Sequence, residues 1–178
     1  MSGAMIVRLA APEDLPRLPE IEVSAATLFR DQGVEVFAGE TDETPIDFTP
    51  AEVWAPIEAE GLLWVMAGPD GPAGAFLAAR IEEDRLHILE FDVHRDHQGQ
   101  GLGRRLLAFA IEEARRRGLA GLSLTTFRDV PWNAPFYGSA GFSIVEGDAA
   151  RGSLQAYLDR EAARGLDPAR RCAMVLRF

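Results

Sequence analysis

The chain has 178 residues, a formal net charge of −10 at pH 7 and 47% hydrophobic residues, as expected of one soluble globular domain with its own core. The acidic balance argues against a nucleic-acid binder, which needs a basic face, and no apolar run approaches the roughly 20 residues of a membrane-spanning helix. The single cysteine, Cys172, excludes an internal disulfide and makes a reducing cytoplasm the expected location. We therefore expect one domain over residues 1–178, in which residues 1–4 are either native or a tag remnant before a natural start at Met5.

The first half of the chain is predicted to contain two helices among four strands. Pro12 and the acidic residues after it favour a helix from about Pro12 to about Phe29. Thr49 and Glu52 have the spacing of a capping box, which predicts that a second helix begins directly after Thr49. Glycines and prolines at 68–72 indicate a turn. The predicted strands cover residues 5–9, 62–67, 73–81 and 86–93.

After the fourth strand, helices and strands alternate. A helix is predicted from about Leu102 to Arg117, and Gly118 ends it. The later predicted elements are a strand over 121–126, a short helix over 134–140, a strand over 142–145, a helix over 154–164 and a closing strand over 171–178. Strands that first meander and then alternate with helices predict a mixed α/β fold around one twisted sheet.

The loop between the fourth strand and the following helix contains three alternate glycines, Gly99, Gly101 and Gly103. Glycines let a ligand approach the backbone, and a helix start offers unpaired amides and positive dipole charge, which favours phosphate or pyrophosphate. Arg104 and Arg105 add cationic donors. The spacing fits neither a Walker loop, which needs Lys after its last glycine, nor a dinucleotide fingerprint, because position 104 is not glycine. A tight turn without a ligand stays open as an alternative.

Two motifs in this region carry a family resemblance. Gln98–x–x–Gly101–x–Gly103, preceded by Val93, resembles the coenzyme A pyrophosphate loop of the GCN5-related N-acetyltransferase (GNAT) superfamily. About thirty residues later, the segment 132–142 is similar to the family's second signature. That signature has an Asn, then an aromatic–Tyr pair, then Gly–Phe entering a strand. The resemblance spans residues 86–145.

This resemblance implies a GNAT-type domain with a mostly antiparallel, twisted sheet of about seven strands, flanked by helices and splayed between the fourth and fifth strands. It implies acetyl-CoA as co-substrate and no metal. The residues expected to bind the coenzyme are Phe91, Val93, Gln98, Gly99, Gln100, Gly101, Leu102, Gly103, Arg104, Asn133 and Phe136.

The resemblance also implies the catalytic residues. It places Tyr137 near the coenzyme sulfur, where a phenol with a pKa of about 10 is able to protonate a departing thiolate. The general base of the family is commonly a carboxylate on the fourth strand, at the position of Glu90, with Asp92 or a water as alternatives. Strict alternation puts both carboxylates on one face, whereas the bulge that the family carries in this strand shifts the alternation.

The remaining reactive side chains, two histidines and the cysteine, are expected to have no catalytic or metal-binding role. His94 and His97 are expected to be exposed loop residues, since their spacing matches no metal site. Cys172 is expected to be a buried structural thiol.

The hypothesis is therefore an acetyl-CoA-dependent N-acetyltransferase in which a primary amine attacks directly in a ternary complex. A non-catalytic acyl-CoA sensor and an enzyme for a longer acyl-CoA are the alternatives. The acceptor is a small molecule or a peptide that the sequence does not identify, and homodimers are common in the family.

Overall fold

A computed structural model describes residues 4–69 and 71–178. Residues 1–3 and Asp70 lie outside the described residues. The first three belong to the segment expected to be either native or a tag remnant, and Asp70 belongs to the predicted turn. The backbone contacts divide the chain into two compact units. The first comprises Met1–Val34, Thr41–Arg80 and Leu89–Glu112, and the second Glu35–Glu40, Ile81–Ile88 and Glu113–Phe178. The expectation of one domain stays a prediction.

Seven strands form one mixed sheet of order β1-β2-β3-β4-β5-β7-β6. The strands are β1 (Ile6–Leu9), β2 (Leu63–Ala67), β3 (Ala73–Glu82), β4 (Arg85–Val93), β5 (Gly121–Phe127), β6 (Ser143–Val145) and β7 (Arg171–Arg177). β1 pairs antiparallel with β2, β2 with β3, and β7 with both β5 and β6, whereas β4 and β5 are parallel. The predicted mixed, mostly antiparallel sheet is confirmed.

The pairing between β4 and β5 is confined to the first residues of the two strands. It runs from Arg85 opposite Gly121 to His87 opposite Ser123. Beyond that pair β4 continues to Val93 and β5 to Phe127, but their further residues do not pair with each other. This short register agrees with the predicted splay between the fourth and fifth strands.

Five α-helices accompany the sheet in the described part of the chain, and none of them is long and apolar enough to cross a membrane. They are α1 (Leu18–Asp31), α2 (Ala51–Ala59), α3 (Leu102–Arg116), α4 (Ala134–Ser139) and α5 (Ser153–Ala163). The predicted start of the first helix is a separate 3-10 helix, Pro12–Arg17. Pro16 lacks the amide that would continue a regular hydrogen-bond ladder there, which explains the difference.

The predicted capping box of the second helix is wrong. The residue before α2 is Pro50, and no side chain bonds the first turn of that helix. The hydroxyl of Thr49 instead donates to a carboxylate oxygen of Glu22 on α1, at 3.2 Å. A short hydroxyl side chain bonds whichever partner the tertiary structure brings near, and here that partner is a residue 27 positions earlier.

Each unit has its own buried apolar side chains. In the first unit every residue of β2 is buried, as predicted, and Trp64 and Leu63 on that strand are almost inaccessible to water. In the second unit a cluster packs under α5 and consists of Val145, Ala150, Leu154, Ala173 and Val175. The candidate site residues lie on β4, in the loop after it, at the start of α3 and at α4.

Candidate active site

The glycine loop between β4 and α3 has the backbone that its sequence predicts. Gly99 and Gly101 have φ angles of 73° and 77°, a left-handed conformation that strains any residue with a β-carbon. A β-carbon at either position would meet no atom within 4 Å. Glycine is therefore required here by the backbone itself, and the space beside the loop is open to a ligand. α3 begins at Leu102, directly after the loop.

Two amide side chains tie this loop together. The Gln98 side chain donates to the carbonyl of Val93 at 3.0 Å, and the Gln100 side chain donates to the carbonyl of Asp96 at 3.0 Å. The first bond fixes the loop to the end of β4. Because both side chains already bind the protein backbone, the backbone of the glycine segment is the part of the loop best placed to contact a phosphate.

The two arginines after the loop differ in their surroundings. Arg104 is exposed at the start of α3. The guanidinium of Arg105 donates to the carbonyl of Met5 at 2.6 Å, close to the start of β1. Arg105 therefore has a structural contact, and Arg104 is the better candidate for an anion contact. Gly103, the third glycine of the motif, lies within the first turn of α3.

Glu90 and Asp92 are two residues apart on β4, and the carboxyl group of Glu90 raises the pKa of Asp92. Part of Asp92 is accessible, but its Oδ2 atom is buried and has no hydrogen-bond partner. Burial raises the pKa of Asp92 well above its usual range, and the neighbouring charges of Glu90 and Glu22 raise it further. A carboxyl group with a raised pKa can hold or accept a proton closer to neutral pH.

The charge of Glu22 on α1 is a further cause of the raised pKa of Asp92. The Oε2 atom of Glu22 accepts the backbone N–H of Thr49 at 3.0 Å, and its Oε1 atom accepts the Thr49 hydroxyl. Glu22 was not among the residues predicted from the sequence. The one signal in the sequence is its position, four residues after Leu18 and therefore at the margin of the buried face of α1. Nothing in the sequence connects that position with β4.

The second motif forms α4 and its surroundings. Tyr137 is 8% exposed, and its ring makes edge-to-face contacts with Phe136 and Phe142 at centroid distances of 5.2 and 5.7 Å. Asn133 is the residue before α4, and its side-chain amide donates to the carbonyl of Trp132 at 3.2 Å. The aromatic neighbours fix the ring of Tyr137 by packing on two sides.

The candidate residues divide between the two compact units. The first unit contains Glu90, Phe91, Val93 and the loop Gln98–Arg104, and the second contains Asn133, Phe136 and Tyr137. Phe91 and Val93 are half-buried on β4. Within the first unit, the folded chain brings the glycine loop and the carboxyl pair to the same end of one strand.

The predicted exposure of the loop histidines is wrong. The His94 side chain is only 13% exposed, and its Nδ1 atom accepts the backbone N–H of Asp96. The His97 ring lies so close to Gly74 that a β-carbon there would be 2.5 Å from it. Both histidines pack where the loop turns back on the first unit. Within residues 4–69 and 71–178, no group of three or more His, Cys, Asp or Glu side chains could hold a metal ion.

Two further reactive side chains are buried in the second unit. His87 is 1% exposed, is hydrogen-bonded through Nδ1 to Ser123 Oγ at 2.9 Å, and stacks on Tyr157 at 4.0 Å. Cys172 is 2% exposed, as predicted for a structural thiol. Burial raises the pKa of that thiol, which lowers the fraction of reactive thiolate at neutral pH.

Comparison with known proteins identifies relatives of this chain. A family model described as "Acetyltransferase (GNAT) family" matches residues 25–142. The ribosomal-protein-S18-alanine N-acetyltransferase from Escherichia coli is 21% identical, with a TM-score of 0.66 over 98% of this chain and 94% of that one. The PaiA N-acetyltransferase from Thermoplasma acidophilum, solved with coenzyme A, is 14% identical, with a TM-score of 0.68 over 98% of this chain and 99% of that one.

A third solved structure matches this chain over only part of its own length. N-acetylglutamate synthase from Neisseria gonorrhoeae, solved with coenzyme A and N-acetyl-glutamate, is 18% identical, with a TM-score of 0.67. The match covers 99% of this chain but 36% of that protein. At these identities the likeness to the three structures establishes a shared fold.

Proposed function

Because the chain belongs to the Acetyltransferase (GNAT) family, we propose that it is an acetyl-CoA-dependent N-acetyltransferase whose acceptor is a primary amine. The observation that carries this proposal is the pair of carboxyl groups of Glu90 and Asp92 on β4, in which Asp92 Oδ2 is buried without a hydrogen-bond partner and the pKa of Asp92 is raised by burial and by the charge of Glu90. A module that only binds coenzyme A needs no proton acceptor, whereas an amine must lose a proton before it attacks a thioester. The pair therefore favours an enzyme over a sensor.

The glycine loop is proposed to bind acetyl-CoA, the acetyl donor of the reaction. The open backbone at Gly99 and Gly101, with the start of α3 directly after it, suits the pyrophosphate of coenzyme A. Arg104 adds a positive charge beside it. Asn133 and Phe136 of the second motif, with Phe91 and Val93 of β4, are proposed to contact the remainder of the coenzyme, which supplies the activated acetyl group as a thioester.

The carboxyl groups of Glu90 and Asp92 are proposed to deprotonate the amine acceptor. One carboxylate of the Glu90–Asp92 pair takes a proton from the ammonium group of the acceptor, directly or through a water. The neutral amine then attacks the thioester carbonyl carbon, a C–N bond forms, and the C–S bond breaks. We assign to Tyr137 the donation of a proton to the leaving thiolate, and the excess proton on the new amide nitrogen restores the phenol.

Direct attack in a ternary complex is favoured over an acyl-enzyme. A covalent route would need a reactive nucleophile, and the one cysteine of the chain is a poor candidate because its thiol is buried and its pKa is raised. The preference for acetyl over longer acyl groups, a cytoplasmic location and a homodimer stay predictions from the sequence.

Calorimetry and a thiol-release assay test the proposal together. Acetyl-CoA should bind the purified protein, and at least one member of a panel of primary amines, amino acids and peptides should release free coenzyme A thiol. Binding without release by any amine would favour the sensor, and faster release from butyryl-CoA would favour the longer donor. If neither acyl-CoA binds, the proposed function is wrong.

A further inference from the structure

A cavity of about 330 Å³ lies in the second unit, beside the end of β6. The last pair of β6 joins Val145 to Ala173, whereas β7 begins earlier, at Arg171. The first part of β7 is therefore not covered by β6, and α5 and the loop after β6 enclose the space beside it. None of the candidate catalytic or coenzyme-binding residues is among the described residues that line this cavity.

The walls of the cavity are mostly apolar, and several of their side chains are small. They include Val145, Ala150, Leu158, Ala162, Pro168 and Ala173. Folded cores leave few spaces larger than a water molecule. Apolar pockets of ~300–1,000 Å³ with a few polar groups are instead typical of small-molecule sites. The size and the walls therefore favour a small ligand with an aliphatic body.

Arg171 is a charged residue of the cavity wall whose side chain is only 12% exposed. Its Nε and Nη2 atoms donate to the two oxygens of Glu161, at 2.9 and 3.0 Å, and this bidentate pair fixes the guanidinium. No residue in the described part of the chain accepts a hydrogen bond from Nη1 of Arg171. Since a guanidinium has five N–H donors, Arg171 keeps donors for a ligand while Glu161 holds it in place.

Arg128 brings a second guanidinium to the lining. Its Nη2 atom donates to Glu146 at 2.7 Å, and the side chains of the two residues are 40% and 67% exposed. Such an exposed pair contributes little stability. Among the described residues, none accepts a hydrogen bond from Nε or Nη1 of Arg128. A carboxylate can therefore bind Arg128 without breaking a buried ion pair.

The acidic groups of the lining attract a ligand less strongly than the guanidinium groups do. Glu146 already accepts a hydrogen bond from Arg128. Asp159 is exposed and accepts a hydrogen bond from Gln155 at 2.8 Å. Water and salt screen the charge of an exposed carboxylate, whereas a group as enclosed as Arg171 is screened much less. Charge complementarity therefore favours an anionic ligand over a cationic one.

On these grounds we propose that this cavity is a binding site for a small aliphatic carboxylate. The aliphatic body packs against the apolar walls beside α5, and the carboxylate accepts hydrogen bonds from Arg171 and Arg128. The site is additional to the proposed acetyl transfer and does not depend on it.

Hexanoate, hexanol and hexylamine share one aliphatic chain and differ in charge, so they test the chemistry of the ligand. In NMR titrations of the 178-residue protein, hexanoate should cause saturable shifts of the amide signals of Ala150 and Ala173. It should bind about tenfold more tightly than hexanol, the usual effect of a charge-assisted hydrogen bond. Hexylamine should bind no better than hexanol.

A pair of arginine variants tests the role of the guanidinium group. Arg128→Gln should weaken hexanoate binding about tenfold, because it removes the charge and leaves the aliphatic contacts of the ligand unchanged. Arg151→Gln is the matched control. Arg151 also pairs with a single carboxylate, that of Asp148, and is 79% exposed outside the cavity lining. Its replacement should leave the affinity for hexanoate unchanged.

Two neighbouring alanines near the end of α5 separate filling of the cavity from damage to the helix. Both are exposed, but Ala162 lines the cavity and Ala163 does not. Ala162→Leu should place its side chain in the space for the ligand and abolish the saturable shifts. Ala163→Leu should bind hexanoate like the wild type, and similar thermal unfolding midpoints should show that both variants are folded.

Each of four results would overturn the proposal. These are no saturable binding of hexanoate, binding of hexanol or hexylamine as tight as that of hexanoate, normal binding by Ala162→Leu or Arg128→Gln, and displacement of hexanoate by coenzyme A. The last result would place the carboxylate in the proposed active site. Failure of the proposed acetyl transfer is a separate outcome, because acetyl-CoA would then not bind while hexanoate still does.

Discussion

Glu90 precedes Asp92 by two residues on β4, and its charge raises the pKa of the Asp92 carboxyl group. Burial is the larger cause, and the two effects together hold the pKa of Asp92 well above its usual range. The pair therefore affects both the stability of the protein and the pH dependence of its activity.

Asp92→Asn should make the protein more stable at neutral pH. Since the folded state raises the pKa of Asp92, it binds the proton more tightly than the unfolded chain does. The favourable effect is complete below about pH 4, the usual value for aspartate, and is lost as the pH rises through the raised pKa. Urea unfolding should give a higher midpoint for the variant at about pH 8 and nearly equal midpoints at about pH 4. An equal difference at both pH values would contradict the assignment.

Glu90→Gln should slow acetyl transfer by about a hundredfold, the lower range for the loss of a general base. The charge of Glu90 raises the pKa of Asp92, so the variant should also move the acidic limb of the kcat profile to lower pH. Steady-state rates between about pH 5 and 9 measure both effects, with Glu52→Gln as the control. A shifted profile with little loss of rate would assign the base to Asp92, and an unaltered rate and profile would assign it to a water.

Gly101→Leu should abolish coenzyme A binding while the fold survives. A side chain at φ 77° costs about 1–2 kcal/mol of stability, and its atoms would occupy the open space beside the loop. Gly118→Leu is the matched control, since Gly118 has φ 71° and an equally open surrounding at the end of α3. Both variants should lose similar stability in urea, and calorimetry should detect lost binding in the first only. Normal binding by Gly101→Leu would refute the loop assignment.

Tyr137→Phe should lower kcat by about a hundredfold and leave the affinity for coenzyme A nearly intact, because the ring and its edge-to-face contacts remain. The chain has one other tyrosine, Tyr157, whose hydroxyl donates to Glu82 at 2.9 Å. Tyr157→Phe should cost about 1 kcal/mol of stability without a comparable loss of kcat. Unchanged turnover in Tyr137→Phe would remove the general-acid assignment.

Cys172→Ala should retain kcat within about twofold, because direct attack by the amine uses no thiol nucleophile. The thiol is buried on β7 and its pKa is raised, so the wild-type protein should also react slowly with iodoacetamide until it is unfolded. Complete loss of activity in the folded variant would instead indicate an acyl-enzyme on Cys172.

The sequence by itself determined the parts of this protein that depend on local pattern. The apolar run over 62–67 predicted a buried strand, which the structure confirms at Leu63–Ala67, and the spacing of Gln98, Gly101 and Gly103 indicated the family that the family model identifies. A left-handed backbone angle is a property of a single residue, and the order of the two motifs is a property of the chain alone. The family and the mixed, mostly antiparallel sheet could therefore be predicted before any coordinates.

Only the tertiary structure decided which distant side chains meet. Thr49 has the spacing of a helix cap, yet it bonds Glu22 because the fold brings α1 beside it. The charge of Glu22 raises the pKa of Asp92, although the two residues are far apart in the chain. His97, expected to be exposed, packs against Gly74. Contacts of this kind arise from the packing of whole elements, and no short sequence window contains both partners.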